Sequence, residues 1–282
     1  MNWRAKLTLT ALGQYNVYRT PIPTTMSSAK TTTTTAAAAS PGPEAAEAKP
    51  KILLHPVPVY DSPLAQGVSV GRVAVLLGLL AWQMDNLVAD PASTLSRALP
   101  VVAAVQAVYA VLCIPPAGSP GKAGKKPRLG EKARKNDGGV NPISSAIIAL
   151  LLSTLTVPAL YALFVLFGAP FLSHTAHTAL CAAHFALLGV FPVVHARGLD
   201  RPALVAVAGA TAPLDEAFGA LVGAAAGAWL GAVPIPLDWD RDWQRWPVTI
   251  VVGVYLGAAA GSLLAGTVLY GKRMAGGPVK AD

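Results

Sequence analysis

A chain of 282 residues that is 53% hydrophobic and 13% charged, with a mean hydropathy of +0.49, falls far below the roughly 25% charged residues of a soluble domain. This composition excludes an ordinary soluble protein and indicates an all-α, polytopic membrane protein. The net charge of +8 does not indicate nucleic acid, because the basic residues lie between apolar runs and are not interleaved with aromatics on a polar face. Cys113 and Cys181 both sit inside apolar runs and supply neither a disulfide framework nor a zinc spacing.

Residues 1–60 lack a sustained apolar run and include the tract TTTTTAAAAS at 31–40, a composition that cannot bury enough apolar surface to order itself. A disordered, low-complexity tail is expected there. Because no acid precedes Glu44 while Arg4, Lys6 and Arg19 do, a transit peptide is the competing reading, and a start at Met26 would remove most of it. Residues 61–273 then form the membrane domain, followed by a short tail, 274–282.

A spanning helix needs about 20 mostly apolar residues. Six segments approach this: 68–88, 98–114, 143–168, 175–196, 215–236 and 248–270. The first carries Arg72 and Asp85, both expected to snorkel to an interface. Pro158 predicts a kink in the third. Before the fifth, Pro213 with Asp215 and Glu216 reads as a helix start, making 203–212 a re-entrant or interfacial piece; one long helix kinked at Pro213 is the alternative. Asp215 and Glu216 read either as capping acids or as functional acids facing a cavity.

Six spans place both termini on one side. Counting only tail residues near the first span, that side carries 14 Lys and Arg, seven of them in the basic loop 115–142, against Arg97, Arg241 and Arg245 opposite. The positive-inside rule makes the termini cytosolic, and the basic loop suits an anionic leaflet.

Three constellations stand out. Gly219, Gly223, Gly227 and Gly231 recur every fourth residue, as do Gly253, Gly257 and Gly261. This spacing puts small residues on one helix face, where backbones pack closely against each other or against helices of another protein. His174, His177 and His184 fall within about 80° of helical arc, joined by His195 if the helix continues past Pro192. Only His174 and His177 are close enough in sequence to share a ligand. The third is the loop Asp238–Trp246, with three aspartates, two arginines and three tryptophans in nine residues. An EF-hand starting at Asp238 fails, because Trp243 and Thr249 occupy the positions of its glycine and glutamate. The remaining readings are a weak Asp-x-Asp metal pair, or interfacial tryptophans with aspartates paired to Arg241 and Arg245. No metal site or cofactor is assigned. No nucleophile elbow, P-loop, zinc-protease or dinucleotide motif occurs.

The stretch GAWLGAVPIPLDWDRDWQRWPVT at 227–249, with the glycine-rich span after it, resembles the Pig-F family of glycosylphosphatidylinositol (GPI) anchor biosynthesis proteins, in a fungal form. The resemblance extends over about 68–273. It implies an endoplasmic reticulum membrane protein acting as the shared, non-catalytic partner of the large ethanolamine-phosphate transferases, which modify mannoses of the GPI precursor. No catalytic residue is implied. Asp238, Trp239, Asp240, Arg241, Trp243, Gln244 and Trp246 are the expected contact with that enzyme or with the precursor headgroup. Two other classes compete: a membrane enzyme acting on lipid headgroups through the histidines and Asp215 or Glu216, and a small lipid transporter. The transporter is weakened by the lack of a second interrupted segment in the first half.

Overall fold

The computed structural model describes residues 54–119 and 140–274, and every regular element among them is helical. The order is α1 (Pro63–Trp82), α2 (Met84–Ala89), α3 (Pro91–Cys113), α4 (Pro142–Leu155), α5 (Val157–Leu166), α6 (Thr175–Phe185), a π-helical turn (Ala186–Val190), α7 (Phe191–Arg197), α8 (Arg201–Ala208), α9 (Glu216–Ala232), a short 3₁₀ turn (Asp242–Gln244) and α10 (Val248–Gly266). Among the described residues five stretches are long and apolar enough to cross a membrane: Pro63–Trp82, Pro91–Cys113, Pro142–Leu166, Thr175–Arg197 and Val248–Gly266. A sixth apolar helix, α9, has 17 residues, the lower end of the spanning range.

Three helix starts share one local recipe. Ser62, Asp90 and Asn141 each precede a proline and accept a hydrogen bond from Ala65, Ser93 and Ile143 N–H respectively. The cap satisfies one orphan donor, and proline at the first position gives up an N–H that has no helical partner. The first two membrane segments therefore begin at Pro63 and Pro91 rather than at 68 and 98, and the first is interrupted at Gln83.

The third segment breaks at Thr156, just before Pro158, whose missing N–H cannot continue the ladder. The fourth runs through Pro192, but by way of the π turn, in which the Phe191 N–H bonds Ala186 O five residues back. In that register the Leu187 carbonyl would next receive the N–H of residue 192, and proline has none. The freed carbonyl accepts from Gln106 Nε2 at 2.8 Å. Ahead of the fifth segment, α8 is a separate helix, which excludes one long kinked helix. Pro213 lies outside α9 and forms an isolated bridge with Arg273.

The most extensive helix contact is the antiparallel pairing of α9 with α10. A Cβ added at Gly219, Gly223 or Gly227 would overlap the carbonyl oxygen of Gly261, Gly257 or Gly253, and one at Gly231 would overlap that of Thr249. The main core collects Leu76, Leu95, Val102, Phe185, Leu188 and Val254 from α1, α3, α6, the π turn and α10. The α5 helix buries no residue and lies at the periphery.

Of the tail expected over 1–60, residues 54–60 are described. They form an extended strap: Tyr60 N–H donates to Cys113 O and Val57 N–H to Asp215 Oδ2, each at 2.9 Å, while Leu54 O accepts from Arg273 at 3.0 Å. The rest of the tail, most of the basic loop and residues 275–282 lie outside the described residues.

Because the atoms facing Gly227 are backbone and cannot swing away, Gly227→Ala is expected to destabilise the chain by about 2 kcal/mol or more, the cost of overpacking. Gly71→Ala, which meets open space, is the control. Thermal unfolding of the detergent-solubilised chain, followed by size exclusion, reads the difference.

Candidate functional site

The loop between α9 and α10 folds around one side chain. Gln244 is buried; its Nε2 donates to Pro234 O at 2.7 Å and Leu237 O at 2.8 Å, and its Oε1 accepts from Arg241 N–H at 2.9 Å. These bonds close residues 234–244 into a compact turn. Asp240 within it takes φ 48°, a left-handed conformation that aspartate tolerates better than most residues. Trp246 ties the loop to the bundle, with its indole N–H donating to Thr178 Oγ1 at 3.1 Å and its ring against the main core.

The remaining side chains are presented outward. Asp238, Trp239, Asp240, Arg241, Asp242, Trp243 and Arg245 are exposed, the Trp239 and Trp243 rings lie 5.9 Å apart, and Asp242 pairs with Arg245. Of the two arginine pairings expected, the structure places only that of Arg245.

A second polar constellation lies inside the bundle. Arg72 is the tenth of α1's twenty residues and is buried, so the expectation that it snorkels to an interface is wrong. It reaches Glu216 Oε1 at 3.5 Å, donates to Gln106 Oε1 at 3.2 Å and to Ser262 Oγ at 2.6 Å, and stacks 3.7 Å above the Tyr109 ring centroid. Glu216 also accepts from Ser69 and Ser262. Four helices (α1, α3, α9 and α10) thus meet on one ion pair, and partners compensate the desolvation of both charges.

Asp215 belongs to a different knot at the opposite end of α9 from the loop. Its Oδ1 caps Phe218 N–H at 2.9 Å, and its Oδ2 takes Arg197 as well as the strap's Val57 N–H. Arg197 also donates to Pro213 O at 3.0 Å. Nearby Tyr270 has its phenol pKa raised, first by partial burial and then by the Asp215 carboxylate, with Arg197 acting in the opposite sense.

The histidines do not form one site. His184 is fully enclosed, with Nδ1 2.8 Å from Tyr255 Oη and Nε2 3.1 Å from Leu95 O. A carbonyl only accepts, so Nε2 carries the proton and Nδ1 accepts from Tyr255. His195 is buried near Ile114 O, at 3.4 Å. His174 is exposed and His177 half-buried, their rings 5.1 Å apart. Among the described residues no three His, Cys, Asp or Glu side chains are grouped to hold a metal.

The family model for the GPI biosynthesis protein family Pig-F matches residues 72–266. The chain belongs to the Pig-F family. This Pig-F chain is 52% identical over 221 residues to glycosylphosphatidylinositol anchor biosynthesis protein 11 of Neurospora crassa, covering 78% of this chain and 81% of that one. The proteins of the same name from Pyricularia oryzae and Aspergillus fumigatus are 51% identical over 202 residues and 36% over 263, covering 71% and 80% of this chain and 75% and 88% of theirs. No solved structure matches it. The matched range begins at Arg72 and includes the glycine seam, the loop and the Arg72–Glu216 pair with Gln106, Tyr109 and Ser262, while Ser69 lies just before it.

Sequence reasoning passed over Gln106, Ser69, Ser262 and Tyr109. Their only signal is polarity inside apolar runs, as in VVAAVQAVYA at 101–110.

Removing one partner of the buried pair leaves the other charge uncompensated, at a cost of about 3 kcal/mol or more. Arg72→Met alone is therefore expected to lower the unfolding temperature clearly, and Arg72→Met with Glu216→Gln to recover most of the loss. A double-variant cycle of thermal unfolding checks this.

Proposed function

We propose that this chain is the non-catalytic membrane subunit that binds and stabilises an ethanolamine-phosphate transferase, the enzyme adding phosphoethanolamine to mannose of the GPI precursor. Membership in a GPI-biosynthesis family supplies the pathway. The observation that carries the subunit role is the Gln244-closed loop, which holds Trp239 and Trp243 outward beside Asp238, Asp240 and Arg241. A rigid turn presenting exposed aromatics and arginine has the makings of an interface anchor, since such residues dominate binding energy when a partner covers them.

The interior carboxylates support the same reading. Glu216 is engaged by Arg72 and two serines, and Asp215 by Arg197 and two backbone N–H groups, so both serve the bundle. At the loop end, neighbouring helices are joined by Asp90 alone, by 167–174 and by 233–247, little chain from which to build a phosphoryl-transfer site.

In this proposal the chain resides in the endoplasmic reticulum membrane with both termini cytosolic, as the Lys and Arg asymmetry directs. The loop then faces the lumen, where the transferase's catalytic domain and the precursor headgroup meet it.

Trp243→Ala and Asp238→Ala remove exposed side chains at positions without backbone strain and are expected to leave the abundance of the chain unchanged. Loss of a central anchor costs about 2 kcal/mol, so recovery of the transferase with the tagged chain from native membranes should fall at least about tenfold. Full recovery with both variants would remove the loop from the interface.

A further inference from the structure

The short helix α8 carries apolar side chains on two opposite faces. On one, Ala203 is buried, and Ala206 and Val207 pack against the cluster of Ala212, Leu214, Phe218 and Ala265. On the other, Arg201, Leu204, Val205 and Ala208 follow one another at three- and four-residue spacing, which aligns them, and all four are exposed, Val205 by 64%. A helix packed on protein and facing water carries polar residues on its outer face. After Arg201 this one carries none.

The connections of α8 hold it at the end of the membrane bundle. Gly198, Leu199 and Asp200 alone separate it from the span Thr175–Arg197, a link that reaches about 14 Å at most. The apolar helix α9 begins at Glu216 shortly after it. The chain that follows α10 lies against it: Leu269 joins the same cluster as Ala206 and Val207, and Arg273 donates to Thr211 O at 3.3 Å. That segment adds two more exposed apolar residues, Val268 at 67% and Tyr270 at 42%. Tyrosine beside aliphatic residues is a common composition at the headgroup level.

The charges around this apolar surface are basic. Segments 198–212 and 267–274 hold Arg201, Lys272 and Arg273, all exposed, against one acid, Asp200. The basic loop 115–142 leaves from beside the same end, where Ala117 N–H donates to His195 O at 2.8 Å, and its sequence contributes seven Lys and Arg against Glu131 and Asp137. An apolar protein partner would not call for these cations. An anionic leaflet matches both the apolar face and the charge, and the bilayer is already in place beside the neighbouring spans.

We propose that α8 is a membrane-surface helix whose Leu204 and Val205 face enters the acyl boundary of the leaflet at this end, with Arg201 and Lys272 holding anionic phospholipid headgroups above it. The occupant is bilayer lipid, and the inference does not depend on the transferase role.

The test uses the full chain in nanodiscs of phosphatidylcholine with and without phosphatidylserine. A fluorophore is attached at Val205→Cys, at Asp200→Cys and, as a reference within the acyl region, at the exposed Leu151→Cys of α4; Cys113 and Cys181 are buried and do not compete for label. The expected result is that nitroxide on the lipid acyl chains quenches the label at Val205, as at Leu151, and that aqueous iodide does not reach it, while the label at Asp200 stays open to iodide. A photoactivatable phosphatidylserine should label 199–208 more than the matching phosphatidylcholine. Arg201→Gln with Lys272→Gln should lower this preference at least about fivefold, the contribution of one basic residue at an anionic surface, and leave the quenching at Val205 unchanged. A Val205 label open to iodide overturns the proposal, as does equal labelling of the wild-type chain by the two lipids, or a preference that survives the double variant. A photocrosslinker at Val205 that captures protein in place of lipid in native membranes overturns it too. If the double variant does not fold, the wild-type comparison of the two lipids decides.

Discussion

Between helices in lipid there is no hydrophobic drive to associate, so close backbone contact has to do that work. In this chain it is concentrated along one seam, where the glycines of α9 and α10 bring carbonyl oxygens to positions no Cβ could share. The seam makes the last two helices one rigid hairpin. That rigidity holds the two ends of the Pro234–Trp246 loop at a fixed separation, so a single buried glutamine is enough to close it.

The hairpin is joined to the rest of the bundle by polar chemistry that starts from a proline. Pro192 offers no N–H, the π turn leaves the Leu187 carbonyl free, and Gln106 fills the vacancy. The other end of Gln106 accepts from Arg72, which engages Glu216 at the first residue of α9. A backbone defect in one helix, a glutamine in a second and an ion pair between two more thus form one connected set. Each member satisfies a group that would be expensive to bury alone. Such a set contributes registry more than raw stability, because only one mutual arrangement of the helices satisfies every member.

Membership of the helical class, six apolar segments and the small-residue faces were legible in the sequence because they depend on composition and period. Boundaries were less so. The starts at Pro63 and Pro91 carry a local signal, the dipeptides Ser62-Pro63 and Asp90-Pro91, which hydropathy averages away. Arg72 was misplaced because a hydropathy window finds where a segment is apolar and not where the helix is capped; moving the start to Pro63 moves Arg72 from near an end to the centre. Its partnership with Glu216 spans 144 positions in the chain, a pairing no local pattern encodes. The loop's composition was legible, whereas its division into Gln244 and Trp246 as anchors and Trp239 and Trp243 as presented surface required the fold.

Two polar constellations with opposite fates underlie the functional account: one closed inside the bundle, the other open at its surface. The most direct measurement is electron cryo-microscopy of the chain isolated in native-lipid nanodiscs together with whatever it binds. The account predicts partner density against Trp239 and Trp243, with Arg72 and Glu216 touching only side chains of this chain. A lipid headgroup or substrate in contact with Arg72 or Glu216, and a loop free of partner, would contradict it.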